Sequence, residues 1–263
     1  MLYARSASAM IRSPNIRSLS RGLAVLECFR GGNPLTQIEI AQATGLPYPT
    51  VWRILMTLTD LGYLETLPVS ERYALTARAL VLSAGFQDRE NMVQRFRPAM
   101  DTLCHEVLWP ISLAAPAGSS MVVRYSTHNA TTMTYTVYKP GFATPLGQSA
   151  TGVAYLSALP QEERDHLAYS LGLEQVDREI LIEQMKRARD LGYAAYERSR
   201  FNPTPGKLST IAVPVFQGET VLGALALSFF ANAMSLQQAI ERYIPRLKQI
   251  ANCEPLEDQG PRS

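Results

Sequence analysis

Apolar residues recur at helical intervals through the first eighty residues. From Ser18 onwards four of them fall three or four positions apart, which predicts an amphipathic helix with one buried face. Gly31, Gly32 and Pro34 follow, and such residues end helices. The expected buried face consists of Leu19, Leu23, Leu26 and Phe29.

A second and a third helix follow directly. Thr36 and Glu39 have the spacing of a capping box, which begins a helix, and Gly45 ends it about two turns later. The next helix begins at Tyr48, with Pro49 in the first turn, where a missing N–H costs nothing. The inner face of the second helix is expected at Ile38, Ile40 and Ala41. The inner face of the third is expected at Val51, Ile54, Leu55, Leu58 and Leu61.

The opposite side of the third helix carries Arg53 and Thr57, flanked by Thr50 and Trp52. Two short strands are predicted next, around a turn at residues 68–71. A short helix, a glycine turn, a longer helix and a hairpin follow the order of a winged helix-turn-helix. Each of these elements alone is common in proteins that do not bind DNA, but their order along the chain favours DNA binding.

The second half alternates strands with helices around one sheet. Helices are expected over 77–86, 88–107, 148–159, 161–171, 178–191 and 235–251, the last capped by Ser235. Strands are expected over 111–115, 121–126, 132–138, 210–216 and 221–230. This arrangement indicates an α/β sensory module.

Composition limits the class of protein. The 263 residues are 46% hydrophobic and 18% charged, as in globular domains, and the longest apolar run, Val221–Leu227, is too short to span a bilayer. Three scattered cysteines fit a reducing, cytoplasmic compartment and predict no disulfide framework. The first eighty residues hold eight arginines, no lysine and five acids. An arginine-rich N-terminus is also found in transit peptides, but a flexible basic arm is favoured.

The segments SLSRGLAVLECF, LTQIEIAQATGLPYPTVWRILMTLTDLGYLE and ERYALTARALVLSAGF resemble the IclR family of bacterial transcriptional regulators. The resemblance implies an α+β chain, with an N-terminal winged helix-turn-helix joined by a linker helix to a GAF-like α/β effector-binding domain. It also implies a homodimer or tetramer. The segments VLWPISL, MVVRYSTH and STIAVPV are similar to the branch that controls phenylpropionate-type aromatic acid catabolism. The expected divisions are a flexible basic arm (1–16), the DNA-binding domain (17–77), the linker helix (78–92), the effector-binding domain (93–254) and a flexible tail (255–263).

The resemblance places contacts to operator DNA on several elements. Arg53 could donate two parallel hydrogen bonds to a guanine edge, and Thr36, at a helix N-terminus, suits a phosphate. Tyr48 and Trp52 depart from the residues that the family more often has, so base preference does not carry over. The candidate DNA-binding residues are Arg21, Thr36, Gln37, Tyr48, Thr50, Trp52, Arg53, Thr57 and Arg72.

The family's effector pocket falls where residues 145–152 lead into a helix and on the last two strands. Small residues and free backbone N–H groups there suit a carboxylate, with Arg124, Arg198 or Arg200 as a possible clamp. In an alternative interpretation the hydroxyls of this set only satisfy backbone hydrogen bonds in a buried sheet. The candidate effector-binding residues are Arg124, Tyr135, Thr151, Gly152, Leu208, Thr210, Ala226 and Ser228.

An enzyme is the weaker alternative. Residues 147–151 nearly match a nucleophile elbow around Ser149, the signature of a hydrolase, but threonine replaces the last glycine. His105, His128 and His166 are dispersed, so the sequence predicts no metal site, and it contains no phosphate loop or dinucleotide fingerprint for a cofactor. The sequence therefore predicts a regulator that binds an operator and a small carboxylic acid, either aromatic or of another kind, from a catabolic pathway.

Overall fold

The computed structural model describes residues 16–86, 91–135, 137–199 and 205–252. The chain divides into two compact units, Met1–Gln87 and Asp88–Ser263. Residues 1–15 of the expected basic arm, the expected tail 255–263 and Arg200 lie outside the described residues.

The first unit is a three-helix cluster followed by a hairpin. Its elements are α1 (Arg17–Cys28), α2 (Gln37–Thr44), α3 (Tyr48–Asp60), β1 (Leu64–Leu67), β2 (Arg72–Leu75) and α4 (Leu80–Ala84). β1 and β2 pair antiparallel and form the wing, and Leu35 bridges to Tyr73. The core joins the three helices through Val25, Phe29, Ile40, Val51 and Leu55. The prediction of a winged helix-turn-helix is confirmed.

The expected buried face of α1 is partly wrong. Val25 and Phe29 enter the core, whereas Leu19 and Leu23 are 59% and 49% exposed. Ile38 on α2 and Leu61 after α3 are exposed as well. Periodicity detects an apolar stripe, but it does not say whether the stripe faces the chain's own core.

The segment expected as the linker helix, 78–92, is not one continuous helix in its described part. A 3-10 turn at Ala77–Ala79 leads into α4, which ends at Ala84 before Gly85. Asn91 adopts a left-handed conformation just before the next helix begins at Met92. Residues 87–90 lie outside the described residues.

The second unit is a six-stranded antiparallel sheet with helices on both faces. Its helices are α5 (Met92–Val107), α6 (Ala150–Ala158), α7 (Gln161–Ser170), α8 (Gln175–Leu191) and α9 (Leu236–Ala251). Its strands are β3 (Ile111–Ala117), β4 (Ser120–Ser126), β5 (Ala143–Pro145), β6 (Ala194–Tyr196), β7 (Leu208–Gln217) and β8 (Thr220–Phe230). The strand order is β5-β4-β3-β8-β7-β6.

Alternation along the strands divides the core into two layers. Large side chains such as Leu225, Leu227 and Phe229 pack against α5 and α9. On the other face, small side chains such as Ala224 and Ala226 pack against α6 and α8. This size difference leaves space beneath α6, where the cavity described below lies.

The predicted strand over 132–138 is wrong. In its described part this segment is irregular, and the ring of Tyr135 packs 4.5 Å from the ring of Phe230 instead of joining a ladder. Two three-residue edge strands, β5 and β6, were not predicted, because runs so short carry little periodicity. The capping box of α9 is confirmed, since Ser235 accepts from the N–H group of Gln238.

Candidate DNA interface and effector cavity

The recognition helix α3 is fixed from its inner side. Gly45 takes a left-handed conformation (φ 65°) that ends α2, and Leu46 packs against the core before Pro47 caps α3. Val51 and Leu55 are fully buried in the same core. The opposite side of α3, including Trp52 and Arg53, is therefore left to solvent.

One group of candidate DNA-binding residues lines a groove between α1 and α3. This α1-side groove, of about 370 Å³, is lined by Arg21, Thr50, Arg53 and Thr57, together with Ser18, Gly22, Ile54 and Leu58. Within the described part of the chain, the guanidinium group of Arg53 has no hydrogen-bond or ion-pair partner. Two arginines and two threonines thus converge on one accessible surface.

A second group lines a groove between the helix-turn-helix and the wing. This wing-side groove, of about 520 Å³, is lined by Thr36, Gln37, Ile38, Tyr48 and Trp52, and by Thr66, Pro68, Ser70, Glu71 and Tyr73 of the wing. Gln37 connects the two helices, because its Nε2 donates to the backbone oxygen of Tyr48 at 2.9 Å. Ile38 was assigned to the buried side from the sequence, and only the fold shows it at this surface.

Among the predicted DNA contacts, Thr36 and Arg72 both bind Glu39 within the chain. The Thr36 hydroxyl donates to Glu39 at 3.0 Å and accepts from the Glu39 N–H group, so it caps α2. Arg72 donates to the backbone oxygen of Pro34 at 2.9 Å and forms an ion pair with Glu39 at 3.1 Å. The backbone N–H and hydroxyl of Thr36, together with Arg72, hold the pKa of Glu39 below its ordinary value. These contacts attach the wing to α2.

In the second unit, a small cavity lies between the sheet and the start of α6. It measures about 50 Å³, and four of the eight candidate effector-binding residues, Thr151, Thr210, Ala226 and Ser228, line it. The remaining lining residues are Ser112, Ala114, Val123, Tyr138, Phe142, Thr144, Ser149, Ala150 and Ser199. Hydroxyl groups dominate the polar part of this lining.

The hydroxyls of the cavity are paired with one another. Thr210 and Ser228 lie 3.1 Å apart on adjacent strands, and Ser149 lies 3.2 Å from Thr151. Ser149 also caps α6, because its hydroxyl accepts from the N–H group of Gly152 at 3.1 Å. These hydroxyls can exchange partners with a bound acid, since each can both donate and accept.

An aromatic wall closes another side of the cavity. The rings of Tyr138 and Phe142 stack with centroids 4.5 Å apart and an interplanar angle of 19°. Burial raises the pKa of Tyr138 to about 12, so its hydroxyl stays protonated at neutral pH. Sequence reasoning missed both residues, because they flank a turn whose position beside the cavity only the fold defines.

The other four candidate effector-binding residues are not in the cavity lining. Gly152 is needed for close packing, because a Cβ there would lie 1.8 Å from the Leu146 carbonyl oxygen. Arg124 is the extra residue at a bulge where β4 pairs with β3, and Tyr135 packs outside against Phe230. Leu208 is buried at the start of β7, where it pairs with Phe230.

The expected carboxylate clamp is not formed at Arg198 either. Its guanidinium donates to the Gly206 carbonyl oxygen at 3.2 Å and to Asn232 Oδ1 at 3.0 Å. The third candidate, Arg200, lies outside the described residues. Hydroxyls and the N-terminus of α6 are therefore the polar groups that the described cavity offers to an acid.

His128 lies buried beside this aromatic wall. Its ring is 4.6 Å from the Tyr138 ring, and its Nδ1 is 2.5 Å from the Ser126 hydroxyl. Among the described residues, its Nε2 has no hydrogen-bond partner. Desolvation lowers the pKa of His128 to about 4, so the imidazole is neutral at physiological pH.

Comparison with known families agrees with both halves of this architecture. Residues 18–68 match the IclR helix-turn-helix domain, and residues 85–253 match the bacterial transcriptional regulator IclR C-terminal domain. The chain belongs to the IclR family. It is therefore a DNA-binding transcriptional regulator, and the IclR fold inferred from its sequence is confirmed.

Individual relatives support the assignment. The HTH-type transcriptional regulator TsaQ1/TsaQ2 of Comamonas testosteroni is 30% identical over 190 residues, covering 70% of this chain and 68% of the relative. An IclR family transcriptional regulator from Brucella abortus, 26% identical, aligns with a TM-score of 0.66 and 92% coverage of both chains. An IclR homolog from Microbacterium hydrocarbonoxydans complexed with 4-hydroxybenzoate is 20% identical, with a TM-score of 0.59 and coverage of 89% and 95%.

The hydrolase alternative for Ser149 is wrong. Members of the IclR family are regulators and not enzymes, and Ser149 functions here as the N-cap of α6. The hydrogen-bond partners of its hydroxyl are Gly152 and Thr151, and neither can act as a general base. In the described ranges of this IclR-family chain, no helix is long and apolar enough to cross a bilayer.

Proposed function

We propose that this chain is a homo-oligomeric regulator that binds a near-palindromic operator and responds to a small aromatic carboxylic acid in the cytoplasm. The α1-side groove carries the operator part of the proposal. It brings Arg21, Thr50, Arg53 and Thr57 onto one exposed surface, while the buried side of α3 is fixed by the core. That arrangement lets α3 enter the major groove without any change in its packing.

The residues of the interface then take different roles. Arg53 reads a base edge, because its guanidinium has the fork geometry that fits guanine and, in the described structure, no competing partner. Arg21, Thr50 and Thr57 contact phosphates or bases beside it. Arg72 and Thr36 act chiefly through Glu39, by holding the wing against α2.

The effector part of the proposal is supported by the composition of the cavity. Stacked Tyr138 and Phe142 offer a flat apolar wall, while Thr151, Thr210 and Ser228 offer hydroxyls to a carboxylate. The Microbacterium hydrocarbonoxydans neighbour was crystallised with 4-hydroxybenzoate, an acid of this class. Ligand pockets usually measure about 300–1,000 Å³. The cavity here is about 50 Å³, so we expect an aromatic acid to displace part of its wall.

Such displacement is what a regulator needs. A ligand shifts a conformational equilibrium only as far as it binds one state better than another. An acid that fits only when Tyr138 or Phe142 moves would favour the conformation in which that ring is displaced and the cavity is larger. Residues 78–92, which connect the two units, would then transmit the change to operator affinity.

An exposed apolar stripe on α1 supports self-association. Ile16, Leu19 and Leu23 follow one another at intervals of three and four residues, and all three are exposed in the single chain. This is the spacing of a helix–helix seam. Pairing through this stripe would present two copies of α3 to two half-sites about 34 Å apart, or a multiple of that distance.

The experiment measures operator and effector binding on the full chain. Binding to the DNA upstream of its own gene is followed by fluorescence anisotropy over a range of salt concentrations, with a shuffled duplex as the control. We expect specific binding whose affinity falls with rising salt, because phosphate contacts release counterions. Equal affinity for the shuffled duplex would overturn the assignment to that operator.

Effector class is tested separately by thermal shift. Benzoate, 4-hydroxybenzoate and 3-phenylpropionate are compared with acetate and pyruvate. A ligand at 100 times its dissociation constant stabilises by about 2.7 kcal/mol. Stabilisation by the aliphatic acids alone would replace the aromatic assignment, whereas the operator assignment would stand.

A further inference from the structure

Three large apolar side chains stand exposed at the DNA-facing end of the first unit. Ile38 is 58% exposed, Tyr48 is 53% exposed and Trp52 is 51% exposed. Polar contacts to phosphate or guanine do not explain why these apolar side chains are exposed at this surface. Burial of such side chains on binding is favourable in proportion to the apolar area removed from water.

The three residues form one surface. Tyr48 and Trp52 are four positions apart on α3, so they lie on the same side of that helix. Ile38 is at the start of α2, and all three line the wing-side groove. The hydrogen bond from Gln37 to the backbone of Tyr48 holds the two helix starts together.

The charge of this groove argues against phosphate as its ligand. The described residues that line it include no arginine and no lysine. They do include one acidic residue, Glu71 of the wing. A carboxylate near a phosphate repels it. The α1-side groove, by contrast, contains both Arg21 and Arg53. The α1-side groove therefore suits phosphates and guanine edges, whereas the wing-side groove suits an uncharged part of the DNA.

We propose that Ile38, Tyr48 and Trp52 recognise thymine methyl groups in the major groove. The C5-methyl of thymine is the apolar feature that a base edge presents in that groove, and apolar side chains contact it. Trp52 directly precedes Arg53 in the chain. The half-site therefore contains one or two thymines close to the guanine bound by Arg53. This inference rests on the proposed operator binding and adds base specificity to it.

The test replaces thymine with uracil, which differs only by the missing methyl group. Duplexes are first selected from a randomised pool by binding to the full chain, and each thymine of the selected half-site is then changed to deoxyuridine. Burial of one methyl contributes about 0.8 kcal/mol, which corresponds to about a fourfold change in affinity. We expect that loss at one or two positions near the selected guanine, and no loss at thymines outside the half-site.

Two variants connect the methyl effect to this groove. In Trp52→Ala, and in Ile38→Ala, binding to the thymine operator weakens and the ratio of thymine to uracil affinity falls toward one. The matched control is Leu61→Ala, an exposed apolar residue just beyond the C-terminal end of α3, which keeps the full ratio. The slope of affinity against salt stays that of the wild type in both test variants, because no phosphate contact is removed.

The possible outcomes separate the two levels of the proposal. Equal affinity of the wild type for thymine and uracil at every position would overturn methyl recognition and leave operator binding intact. Selection that enriches no sequence would overturn sequence-specific binding itself. The uracil series on the wild type needs no variant, so the result does not depend on how Trp52→Ala folds.

Discussion

Arg72 on the wing and Glu39 on α2 form an ion pair of 3.1 Å between residues 33 positions apart. The same carboxylate accepts the backbone N–H of Thr36 at 2.7 Å and the Thr36 hydroxyl at 3.0 Å. One glutamate therefore caps a helix and attaches a hairpin to it. The wing depends for its position on a residue that the sequence identified only as part of a capping box.

Removing the charge of Glu39 should destabilise the first unit. We expect Glu39→Gln to lower the urea midpoint of unfolding at neutral pH, because Arg72 loses its ion-pair partner and the amide leaves only one oxygen to accept from both Arg72 and Thr36. Glu65→Gln, on the exposed side of β1, is the matched control and should leave the midpoint unchanged.

Acidification should remove the difference in urea midpoint between the wild type and Glu39→Gln. The pKa of Glu39 is lowered in the folded protein, so its stabilising contribution is present above the ordinary glutamate value of about 4.3 and is lost as pH falls through the lower folded value. Below that value, wild type and Glu39→Gln should unfold at similar urea concentrations. A difference that persists there would contradict the electrostatic explanation.

Arg53→Ala should sharply reduce specific operator binding and leave folding intact. The side chain is exposed and contributes nothing to the core, while a bidentate contact to guanine discriminates by about 1–3 kcal/mol. Fluorescence anisotropy with operator and shuffled duplexes measures this discrimination. Arg53→Lys preserves the charge but not the fork geometry, so it should retain non-specific affinity and lose discrimination. Unchanged discrimination in both variants would mean that another residue reads the guanine.

Thr151→Leu should blunt the response to the aromatic acid without changing basal operator affinity. The added carbon atoms fill a cavity of about 50 Å³ and remove one of its hydroxyls. We expect the thermal shift caused by the acid to fall, while Thr151→Ser, which retains the hydroxyl and leaves more room, keeps it. A full ligand response in Thr151→Leu would place the effector elsewhere.

Gly152→Ala should destabilise the second unit through packing alone. A Cβ at this position would meet the Leu146 carbonyl oxygen at 1.8 Å, and the three nearest atoms all belong to the Leu146 backbone, which cannot move aside as a flexible side chain could. Overpacking of this kind costs about 1–3 kcal/mol or more. Gly172→Ala is a useful comparison, since no atom lies within 4 Å of its added Cβ, although its φ of 64° adds some strain. Differential scanning calorimetry should show the larger loss for Gly152→Ala.

His128 should make the second unit sensitive to acid. Its pKa is about 4 when folded and about 6.5 when unfolded, so the unfolded state takes up the proton first as pH falls. Stability is complete above about pH 6.5 and declines on the order of 3 kcal/mol as pH falls to about 4. His128→Gln should flatten this part of the pH profile. His166→Gln, on the exposed side of α7, is the matched control.

The helix-turn-helix could be predicted closely because its signals are local. The capping box at Thr36, the left-handed Gly45 and the buried positions Val51 and Leu55 all follow from short-range rules that the fold obeys. Leu19 and Leu23 were misassigned because periodicity describes one helix and not its neighbours. Their exposure is a property of the packed chain, which no local pattern reports.

The proposed effector cavity could be predicted only in part. Thr151, Thr210, Ala226 and Ser228 line it as the family resemblance implies. Tyr138 and Phe142 were missed because they flank a turn, and only the fold brings the turn beside the cavity and stacks the two rings. An arginine on a strand indicated a clamp, yet a bulge changes the register at Arg124. Bulges and loop conformations arise from tertiary packing, which a single sequence does not display.

The face of the sheet beneath α6 is built from alanines and serines, among them Ser112, Ala114, Ala226 and Ser228. Enlarging any one of these small side chains changes the shape of the cavity. The large apolar side chains on the opposite face of the sheet, which pack against α5 and α9, hold the strands in place meanwhile. Descendants of this protein could therefore come to bind new small-molecule effectors through single substitutions in the second unit, with the helix-turn-helix unchanged.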